Sequence, residues 1–475
     1  MKKMIAGLGL LTFVILIVSM SGEIRQSGKI FDLKNLKENL KSQVQGLGSP
    51  TPLIYGYFGL SVGTVPDVNG DGRADIAVLE PNFPNDNGSC GRVHIYSGAG
   101  GKFLRSLLPV AWGTFQAGLV FQSSSVSGVP DVNGDGKGDI VVGAPSESPG
   151  NSPAGAGRAY IYSGATGALL RTLKSPADQL FGNFGLTVAG VPDVNGDGRG
   201  DVVVGALYEN PGNSPTDCGR AYIYSGASGV LLRKLASPTP VQFGHFGNYV
   251  SGVQDVNGDG RGDVIVGAMN ESTIPNVSYT EGRAYLFSGA TGVRLRTFTS
   301  PKQVQLGGFG EVVAGIPDVD GDGRGDILIT APGHDPASSL PESSGMAYLY
   351  SGATGALLRQ FVSPNKEING WFGFSASGVQ DVTGDGRGDI VIGAVYENAG
   401  GLSDAGRAYI FSGATGTLFK TLVSPSKEGG GNFGFGVVGL PSSVRKAKGY
   451  VLVGAPYEDP GSSPSDCGRA YIFKY

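Results

Sequence analysis

Several residue types that proteins use for reactive or cross-linked sites are scarce in this chain. Among 475 residues there are 3 Cys, 3 His and 2 Trp, too few for a disulfide framework or a zinc cluster built on nitrogen and sulfur ligands. Charged residues make up only 16%, and the net charge is −4, so no basic field is available to hold nucleic acid. What is abundant is glycine, with 82 residues, alongside 28 prolines and 40% hydrophobic residues. This composition favours a folded, turn-rich all-β protein over a disordered chain.

The N-terminus has the pattern of an export signal. Lys2 and Lys3 precede an apolar stretch over residues 4–18, and the small residues Ser19, Ser21 and Gly22 follow, at positions that a signal peptidase recognises. We predict a signal peptide over residues 1–21, a linker with a closing strand over 22–48, and a secreted or cell-surface protein. An uncleaved membrane anchor is the alternative for the first segment, and a short amphipathic helix over residues 29–45 is the alternative for the linker.

Internal repeats decide the architecture. An acidic phrase, DVNGDGRGD with variants, occurs six times and begins at Asp67, Asp131, Asp193, Asp255, Asp318 and Asp381. A second phrase, GRAYIYSGATG with variants, occurs seven times, so the chain has seven units. The seventh unit has SSVRK at residues 442–446 in place of the acidic phrase.

Each unit is predicted to form four strands. In the third unit we assign strands to residues 184–188, 202–205, 221–224 and 231–235, with the acidic phrase as the turn between the first two. Seven such units over residues 49–475 predict an all-β fold, a seven-bladed β-propeller of four-stranded antiparallel blades.

The last unit stops after its third strand, so the ring needs a strand from elsewhere. In most units a Ser-Pro pair follows the fourth strand, with the Pro eight residues before a Phe-Gly pair, and Ser49-Pro50 has the same spacing to Phe58. Residues 43–48 are therefore placed to form the missing fourth strand of the last blade, which would close the ring and remove an exposed sheet edge.

The acidic phrases predict metal sites. Each has Asp at positions 1, 5 and 9, an oxygen-bearing side chain at position 3 and Gly at position 6, as in the first part of an EF-hand-type loop. Oxygen donors suit Ca²⁺, suit Mg²⁺ less well, and argue against zinc or copper. The six loops also hold 19 of the 40 acidic residues, and such crowded carboxylates repel one another unless a cation lies among them.

We therefore predict up to six calcium ions, each bound by side chains at positions 1, 3, 5 and 9 and by the backbone carbonyl at position 7. The fifth loop should bind most tightly because it has four carboxylates, and the sixth most weakly because Thr383 is a poor donor. An Asx-rich hairpin that needs no metal is the alternative. The predicted ligands are Asp67, Asn69, Asp71, Arg73 and Asp75; Asp131, Asn133, Asp135, Lys137 and Asp139; Asp193, Asn195, Asp197, Arg199 and Asp201; Asp255, Asn257, Asp259, Arg261 and Asp263; Asp318, Asp320, Asp322, Arg324 and Asp326; and Asp381, Thr383, Asp385, Arg387 and Asp389.

Motifs on either side of these loops point to a known family. Phe-Gly pairs open six units, at residues 58, 184, 246, 309, 372 and 433, and Gly-Ala-Pro ends the second strand at residues 143–145 and 454–456. The chain thus resembles the FG-GAP repeat family, which includes the N-terminal propeller of integrin alpha subunits and many secreted microbial proteins. The resemblance implies calcium in the hairpins of one face and ligand contacts on the opposite face. The second unit departs from the pattern, with Ala117-Gly118 at its opening.

Three further features have a structural and a functional interpretation. Four acidic loops end in Arg-Gly-Asp, which we interpret as parts of the loop and not as an adhesion ligand, because the Asp is needed as a metal ligand. Loops beginning with Tyr-Glu at residues 208, 396 and 457 should lie opposite the calcium turns, either for recognition or as solvated connections. Cys90, Cys218 and Cys467 are expected to be unpaired, with a Cys90–Cys467 disulfide as the alternative.

The sequence therefore predicts an exported, calcium-binding adhesion or ligand-binding module for an unknown protein or glycan. We predict no catalytic residues, because the three His occupy unrelated repeat positions, and no nucleic-acid partner. Membrane association is expected only if the N-terminal segment is uncleaved. A secreted enzyme acting on polysaccharide and a purely structural surface or matrix component are the alternatives.

Overall fold

The computed structural model describes residues 23–26, 29–32, 43–82, 84–85, 88–89, 91–107, 126–210, 212, 214–271, 281–302, 306–335, 343–441, 449–459, 461 and 465–475. The predicted signal peptide, Cys90 and the Ala117-Gly118 pair lie outside these residues. Within them, no helix has the length and apolar character needed to span a bilayer.

The described chain forms seven four-stranded antiparallel sheets, which are the blades of a β-propeller. Two short hairpins, Glu23–Gln26 with Lys29–Asp32 and Pro84–Asn85 with Gly88–Ser89, accompany them. The strands, in blade order, are Ser61–Val65, Asp75–Glu80, Arg92–Tyr96 and Phe103–Leu107 (blade 1); Val126–Val129, Asp139–Ala144, Arg158–Tyr162 and Leu169–Leu173 (blade 2); Val188–Val191, Asp201–Ala206, Arg220–Ser225 and Leu231–Leu235 (blade 3); Phe246–Val253, Asp263–Ala268, Arg283–Ser288 and Arg294–Thr299 (blade 4); Val313–Ile316, Asp326–Ala331, Met346–Tyr350 and Leu357–Val362 (blade 5); Phe372–Val379, Asp389–Ala394, Arg407–Ser412 and Leu418–Leu422 (blade 6); and Val437–Leu440, Tyr450–Ala455, Arg469–Lys474 and Val44–Leu47 (blade 7).

The second strand of each blade is almost wholly buried. In blade 3 every residue of Asp201–Ala206 is buried. This burial on both faces explains why the sequence of the strand is a continuous Val-rich run and does not alternate between apolar and polar residues. The hydrophobic clusters lie between neighbouring blades: Val203 of blade 3 belongs to one cluster with Phe246 and Tyr285 of blade 4. Burial between successive blades therefore holds the propeller together.

The ring closes as predicted. The first strands of successive blades contact one another in a complete cycle that ends with Val437–Leu440 against Ser61–Val65. Val44 pairs with Phe473 and Leu47 with Ala470, so the N-terminal strand completes blade 7, and Leu47 is only 3% exposed. The alternative of a helix over residues 29–45 is wrong at both ends, because Lys29–Asp32 and Val44–Leu47 are strands.

The Phe-Gly pair makes a contact between blades and does not begin the strand in blade 3. The first strand there is Val188–Val191, four residues later than predicted, because Gly185 has a φ of +90°. A Cβ on Gly185 would lie 2.2 Å from the carbonyl oxygen of Arg158 in blade 2, so only glycine fits. Phe184 is fully buried and forms a parallel bridge with Gly157. The pair therefore joins blade 3 to blade 2, and the same parallel bridge joins blades 1, 4 and 7 to the blades that precede them.

The cysteine prediction is resolved only in part. Cys218 has a free thiol and is buried, as predicted. Cys467 is buried as well, but Cys90 lies outside the described residues, so the Cys90–Cys467 alternative stays open.

Candidate metal centres

The acidic loop of blade 3 shows how the backbone organises each turn. Asp193 Oδ1 accepts hydrogen bonds from the backbone N–H groups of Asn195 (3.1 Å) and Gly196 (2.5 Å), and its Oδ2 accepts one from Gly198 (3.0 Å). Gly196 and Gly198 have φ values of +89° and +77°, which glycine adopts without strain. The loops of blades 1, 2 and 4 repeat these bonds. The backbone therefore fixes the carboxylate at position 1.

Positions 3 and 5 lie on the same turn. Asn195 Oδ1 accepts a hydrogen bond from the Asp197 backbone N–H at 2.9 Å, and Asp197 Oδ1 accepts one from the Arg199 N–H at 2.9 Å. The Asn195 side-chain amide donates to Asp197 Oδ2 at 3.0 Å. The side chains predicted as ligands at positions 3 and 5 are thus in direct contact.

The aspartate at position 9 is anchored at the base of the loop. Asp201 is fully buried, and its two oxygens accept hydrogen bonds from the N–H groups of Val194 (2.8 Å) and Gly226 (3.1 Å). Burial, reinforced by repulsion from Asp197 and Asp193 and opposed by these bonds, raises the pKa of Asp201 to about 6. The same value and causes apply to its counterparts in four other blades, Asp75, Asp139, Asp263 and Asp326. A cation beside such a carboxylate would favour its charged form.

The fifth loop brings the most carboxylates together. Oxygens of Asp318, Asp320 and Asp326 all lie within 4.8 Å of one another. Asp322 is not part of this group, and its Oδ1 accepts a hydrogen bond from the Arg324 backbone N–H at 2.8 Å. Converging oxygen donors at this spacing fit a hard divalent cation.

The sixth loop has a hydroxyl at position 3. The Thr383 hydroxyl lies 3.3 Å from Asp389 Oδ1 and 3.5 Å from Asp381 Oδ1. The Asn69 amide in the first loop makes a similar contact with Asp75 Oδ1 at 3.2 Å, so weaker calcium binding by the sixth loop stays a prediction.

Neighbouring loops are joined by basic residues at position 7. In blades 2 to 6 this residue reaches the position-1 aspartate of the preceding blade: Arg199 to Asp131 at 2.9 Å, Arg261 to Asp193 at 2.9 Å, Arg324 to Asp255 at 3.0 Å, Arg387 to Asp318 at 3.4 Å and Lys137 to Asp67 at 3.8 Å. We call these contacts the inter-blade ion pairs. Burial alone would raise the pKa of Asp193, but the Gly196 and Gly198 N–H groups together with Arg261 hold it below its usual value.

The inter-blade ion pairs explain the Arg-Gly-Asp triplets. In the triplet that begins at Arg261, the arginine pairs with Asp193 of blade 3, while Asp263 is fully buried. The triplet therefore cannot be presented as a free adhesion ligand. From the sequence only the backbone carbonyl of position 7 was predicted to have a role, although a basic side chain recurs there in all six loops.

Comparison with known proteins agrees with this geometry. A family model described as FG-GAP repeat matches residues 58–96, 123–162, 184–224, 246–287, 309–350 and 372–411, which is more than half of the chain. The chain belongs to the FG-GAP repeat family. Similar curated proteins are integrin alpha-IIb of Mus musculus, 36% identical over 156 residues, and integrin alpha pat-2 of Caenorhabditis briggsae, 31% identical over 222 residues. These alignments cover 31% and 42% of this chain but only 15% and 17% of the relatives.

The seventh blade lies outside the six matched FG-GAP repeats and has its own contact with blade 1. In register, Tyr450 takes the place of the position-9 aspartate, because it pairs with Leu440 as Asp389 pairs with Val379. Arg73 Nη1 donates to the Tyr450 hydroxyl at 3.0 Å, and its guanidinium carbon lies 5.6 Å from the ring centroid. A hydrogen bond and a cation–π contact thus take the place of an inter-blade ion pair.

On the opposite face of the FG-GAP blades, the Tyr-Glu loops do not present their glutamates to a ligand. Glu209, Glu397 and Glu458 are fully buried. Each accepts a hydrogen bond from a tyrosine of the third strand, as in Tyr222 to Glu209 at 2.5 Å and Tyr471 to Glu458 at 2.5 Å. The recognition interpretation is therefore wrong for these glutamates.

This Glu–Tyr pair recurs in other blades, which was not predicted from the sequence. It is also present as Glu147 with Tyr160 at 2.5 Å in blade 2 and as Glu271 with Tyr285 in blade 4. Burial is the main cause that raises the pKa of Glu147, Glu271 and Glu458 to about 7. The signal in the sequence was a separation of 12 to 14 residues between Glu and Tyr in successive units.

In blades 1 and 5 a histidine replaces one partner of the Glu–Tyr pair: the tyrosine in blade 1 and the glutamate in blade 5. In blade 1 the His94 ring contacts Glu80 Oε2 through Nε2 at 2.9 Å and Ser106 through Nδ1 at 2.9 Å, and both His94 and Glu80 are fully buried. In blade 5 His334 Nδ1 lies 2.9 Å from the Tyr348 hydroxyl. These histidines hold third strands in place.

The serines of the Ser-Pro pairs connect these buried groups to the preceding blade. Ser363, which follows blade 5, donates to Glu397 of blade 6, and Ser49, which follows the closing strand, donates to Glu80 of blade 1 at 3.0 Å. The serines of the regularly spaced Ser-Pro pairs therefore make a second set of inter-blade contacts, on the face away from the acidic loops.

Proposed function

We propose that this FG-GAP protein is an exported, calcium-binding propeller that binds a protein or glycan ligand through the face opposite its acidic loops. The observation that carries the metal part is the convergence of Asp318, Asp320 and Asp326 oxygens within 4.8 Å. Similarity to integrin alpha subunits supports the adhesion or ligand-binding part.

The proposed calcium ligands are the residues at positions 1, 3, 5, 7 and 9 of the six loops, with up to six ions. A bound ion would supply positive charge among carboxylates that otherwise repel one another. Asp193 illustrates the consequence, because it belongs both to the proposed site of blade 3 and to the ion pair with Arg261 of blade 4. Metal binding is therefore expected to affect how blades pack, and its role is structural, with no part in a reaction.

The opposite face has the character of a binding surface. The connections that lead into the Phe-Gly pairs expose apolar side chains, including Tyr55 at 52%, Leu180 at 63% and Phe181 at 57%. They lie on short connections held by backbone hydrogen bonds to the preceding blade, such as Phe181 N–H to Ala154 at 2.7 Å. Exposed apolar groups on a rigid scaffold favour recognition.

Two experiments test the proposal. Melting of the purified protein should shift to higher temperature with calcium and to lower temperature with a chelator, because an ion that binds only the folded state stabilises it. Glycan and cell-surface protein arrays probed in calcium should give selective signals. A melting midpoint indifferent to chelator would contradict the metal part, and arrays without signal would contradict the ligand-binding part and favour a purely structural component.

Export is tested separately. N-terminal sequencing of the mature protein should begin near residue 22, as a cleaved signal peptide over residues 1–21 requires. A mature chain that still begins at Met1 would favour the uncleaved anchor.

A further inference from the structure

A cavity of about 640 Å³ opens between blades 2 and 3 on the face opposite the acidic loops. Its walls are the connections between the second and third strands of both blades and the connection that leads into Phe184. The volume is in the range that holds small-molecule ligands. None of the groups discussed above as metal ligands or as buried Glu–Tyr pairs lines it.

One wall of this cavity is apolar and unusually exposed. Leu180 and Phe181, at 63% and 57% exposure, stand at its edge. Phe181 has a φ of +53°, and its ring lies against Gly155, where a Cβ would come within 2.8 Å of it. The aromatic ring is thus held in one place while a large part of it stays accessible.

The other walls carry hydroxyl, amide and carboxylate groups. Ser146 and Ser148 come from blade 2, and Asn210 and Asp217 from blade 3. Asp217 is partly buried, and this burial raises its pKa. No lysine, arginine or histidine is among the described residues that line the cavity, so an anionic ligand would find no countercharge there.

This set of groups distinguishes between two kinds of ligand. The cavity offers hydrogen-bond donors, from Asn210 and the serine hydroxyls, together with acceptors, chiefly Asp217. A sugar hydroxyl is both donor and acceptor and matches both kinds of group. An ammonium or guanidinium group has only donors, so it could pair with Asp217 but could not accept from the Asn210 amide or the serine hydroxyls.

We propose, as a deepening of the proposed function on which it rests, that this cavity binds a neutral saccharide, with Phe181 stacking on a sugar ring and Asp217 accepting from its hydroxyls. An aromatic residue recurs at the position of Phe181, as Tyr55 before blade 1 and Phe243 before blade 4, with φ values of +56° and +57°, whereas Asn369 stands there before blade 6 with a φ of +57°. We assign the saccharide to the cavity between blades 2 and 3 because Phe181 and Asp217 line it together.

The equivalent positions supply matched variants. Phe181→Asn introduces the residue that the chain itself uses at position 369, so the left-handed backbone is tolerated. Asp217→Asn keeps the size of the side chain, and Asp404→Asn is its control, because Asp404 has the same φ of +50° in blade 6. Equal melting temperatures in calcium would establish that all three variants fold.

The experiment is ligand-observed saturation-transfer NMR with four neutral trisaccharides, built of α-linked glucose, β-linked glucose, mannose and xylose, and with an arginine-containing tetrapeptide. At least one trisaccharide should bind the wild type with a Kd of about 1 mM or below, as a single solvent-exposed sugar site allows. Asp217→Asn and Phe181→Asn should each weaken it by about tenfold, the loss expected for one charge-assisted hydrogen bond or one stacking contact. Asp404→Asn should bind like the wild type.

Three results would overturn the saccharide assignment. The first is that none of the four trisaccharides binds, and the second is that both cavity variants bind as strongly as the wild type. The third is that the tetrapeptide displaces a bound trisaccharide at a concentration lower than that of the trisaccharide. Undiminished binding would leave the proposed function intact and assign glycan recognition to another part of the face. Failure of the proposed function itself is distinguishable, because then neither the glycan nor the protein array gives a signal.

Discussion

Replacing Asp320 by asparagine should have opposite effects on the calcium-free and the calcium-bound protein. The substitution makes the fifth loop like loops 1 to 4, which have Asn at position 3. It removes one of three carboxylates whose oxygens lie within 4.8 Å of one another. Without an ion this relieves repulsion, and with an ion it removes an attraction.

The size of the effect follows from Coulomb's law. Two unit charges at that separation repel by about 3.5 kcal/mol at an effective dielectric constant of about 20. Asp320 is exposed, so screening by solvent and salt reduces this to about 1 kcal/mol. We expect Asp320→Asn to raise the melting temperature in chelator by about 1 °C and to weaken one calcium site by about tenfold.

Scanning calorimetry in chelator, with calcium titration calorimetry on the same preparations, measures both quantities. The matched control is Thr383→Asp, which adds a carboxylate at position 3 of the sixth loop. It should lower the melting temperature in chelator and raise the calcium affinity of that loop. If both effects of Asp320→Asn have the same sign, or if calcium affinity is unchanged, the carboxylate group at the fifth loop is not a metal site and the reasoning is refuted.

Three further predictions concern stability. Arg261→Ala should lower the melting temperature in chelator by about 1 °C, since a half-exposed ion pair contributes at most about 1 kcal/mol. Lys137→Ala should lower the melting temperature less, because the Lys137–Asp67 pair is longer. Equal decreases in melting temperature would contradict the geometry. Glu458→Gln should flatten the pH dependence of melting: burial raises the pKa of Glu458 to about 7, so the stability present in acid is lost as pH rises through that value, and an unchanged profile would argue against an ionising Glu458. Leu47→Ala should destabilise the fold by about 3 kcal/mol through the cavity it leaves in blade 7, and a variant that melts like the wild type would show that the closing strand is dispensable.

Much of this fold could be predicted because each unit repeats the same local sequence pattern. The acidic turn, the apolar second strand and the constant spacing from Pro to Phe are all visible within one unit, and Ser49-Pro50 follows that spacing outside any complete unit. This is why the closing strand, Val44–Leu47, was predictable although its partner Arg469–Lys474 lies at the other end of the chain.

What the sequence did not reveal is contact between units. Arg261 and Asp193 are 68 residues apart, and the sequence of one loop predicts only a role for the backbone carbonyl of the arginine as a metal ligand. The start of the first strand in blade 3 was misplaced for the same reason, because the φ of Gly185 is imposed by Arg158 of blade 2. The buried glutamates were read as solvent-facing because charged residues are usually exposed, and only the tyrosine of the third strand accounts for their burial.

The junction between blades 7 and 1 shows what an acidic loop contributes to its neighbours. Between blades 3 and 4, Arg261 pairs with Asp193, a carboxylate that the backbone N–H groups of its own acidic turn hold in place. Blade 7 has no acidic phrase, and there Arg73 contacts the hydroxyl and ring of Tyr450, while the closing strand adds backbone pairing from the N-terminus. If the loops act chiefly by fixing the partner of the next arginine, the stability of this junction should depend least on calcium, because Arg73 belongs to an acidic loop but its partner Tyr450 does not. Tyr450→Ala should therefore lower the melting temperature equally in calcium and in chelator, whereas Arg261→Ala should lower it by different amounts in the two conditions.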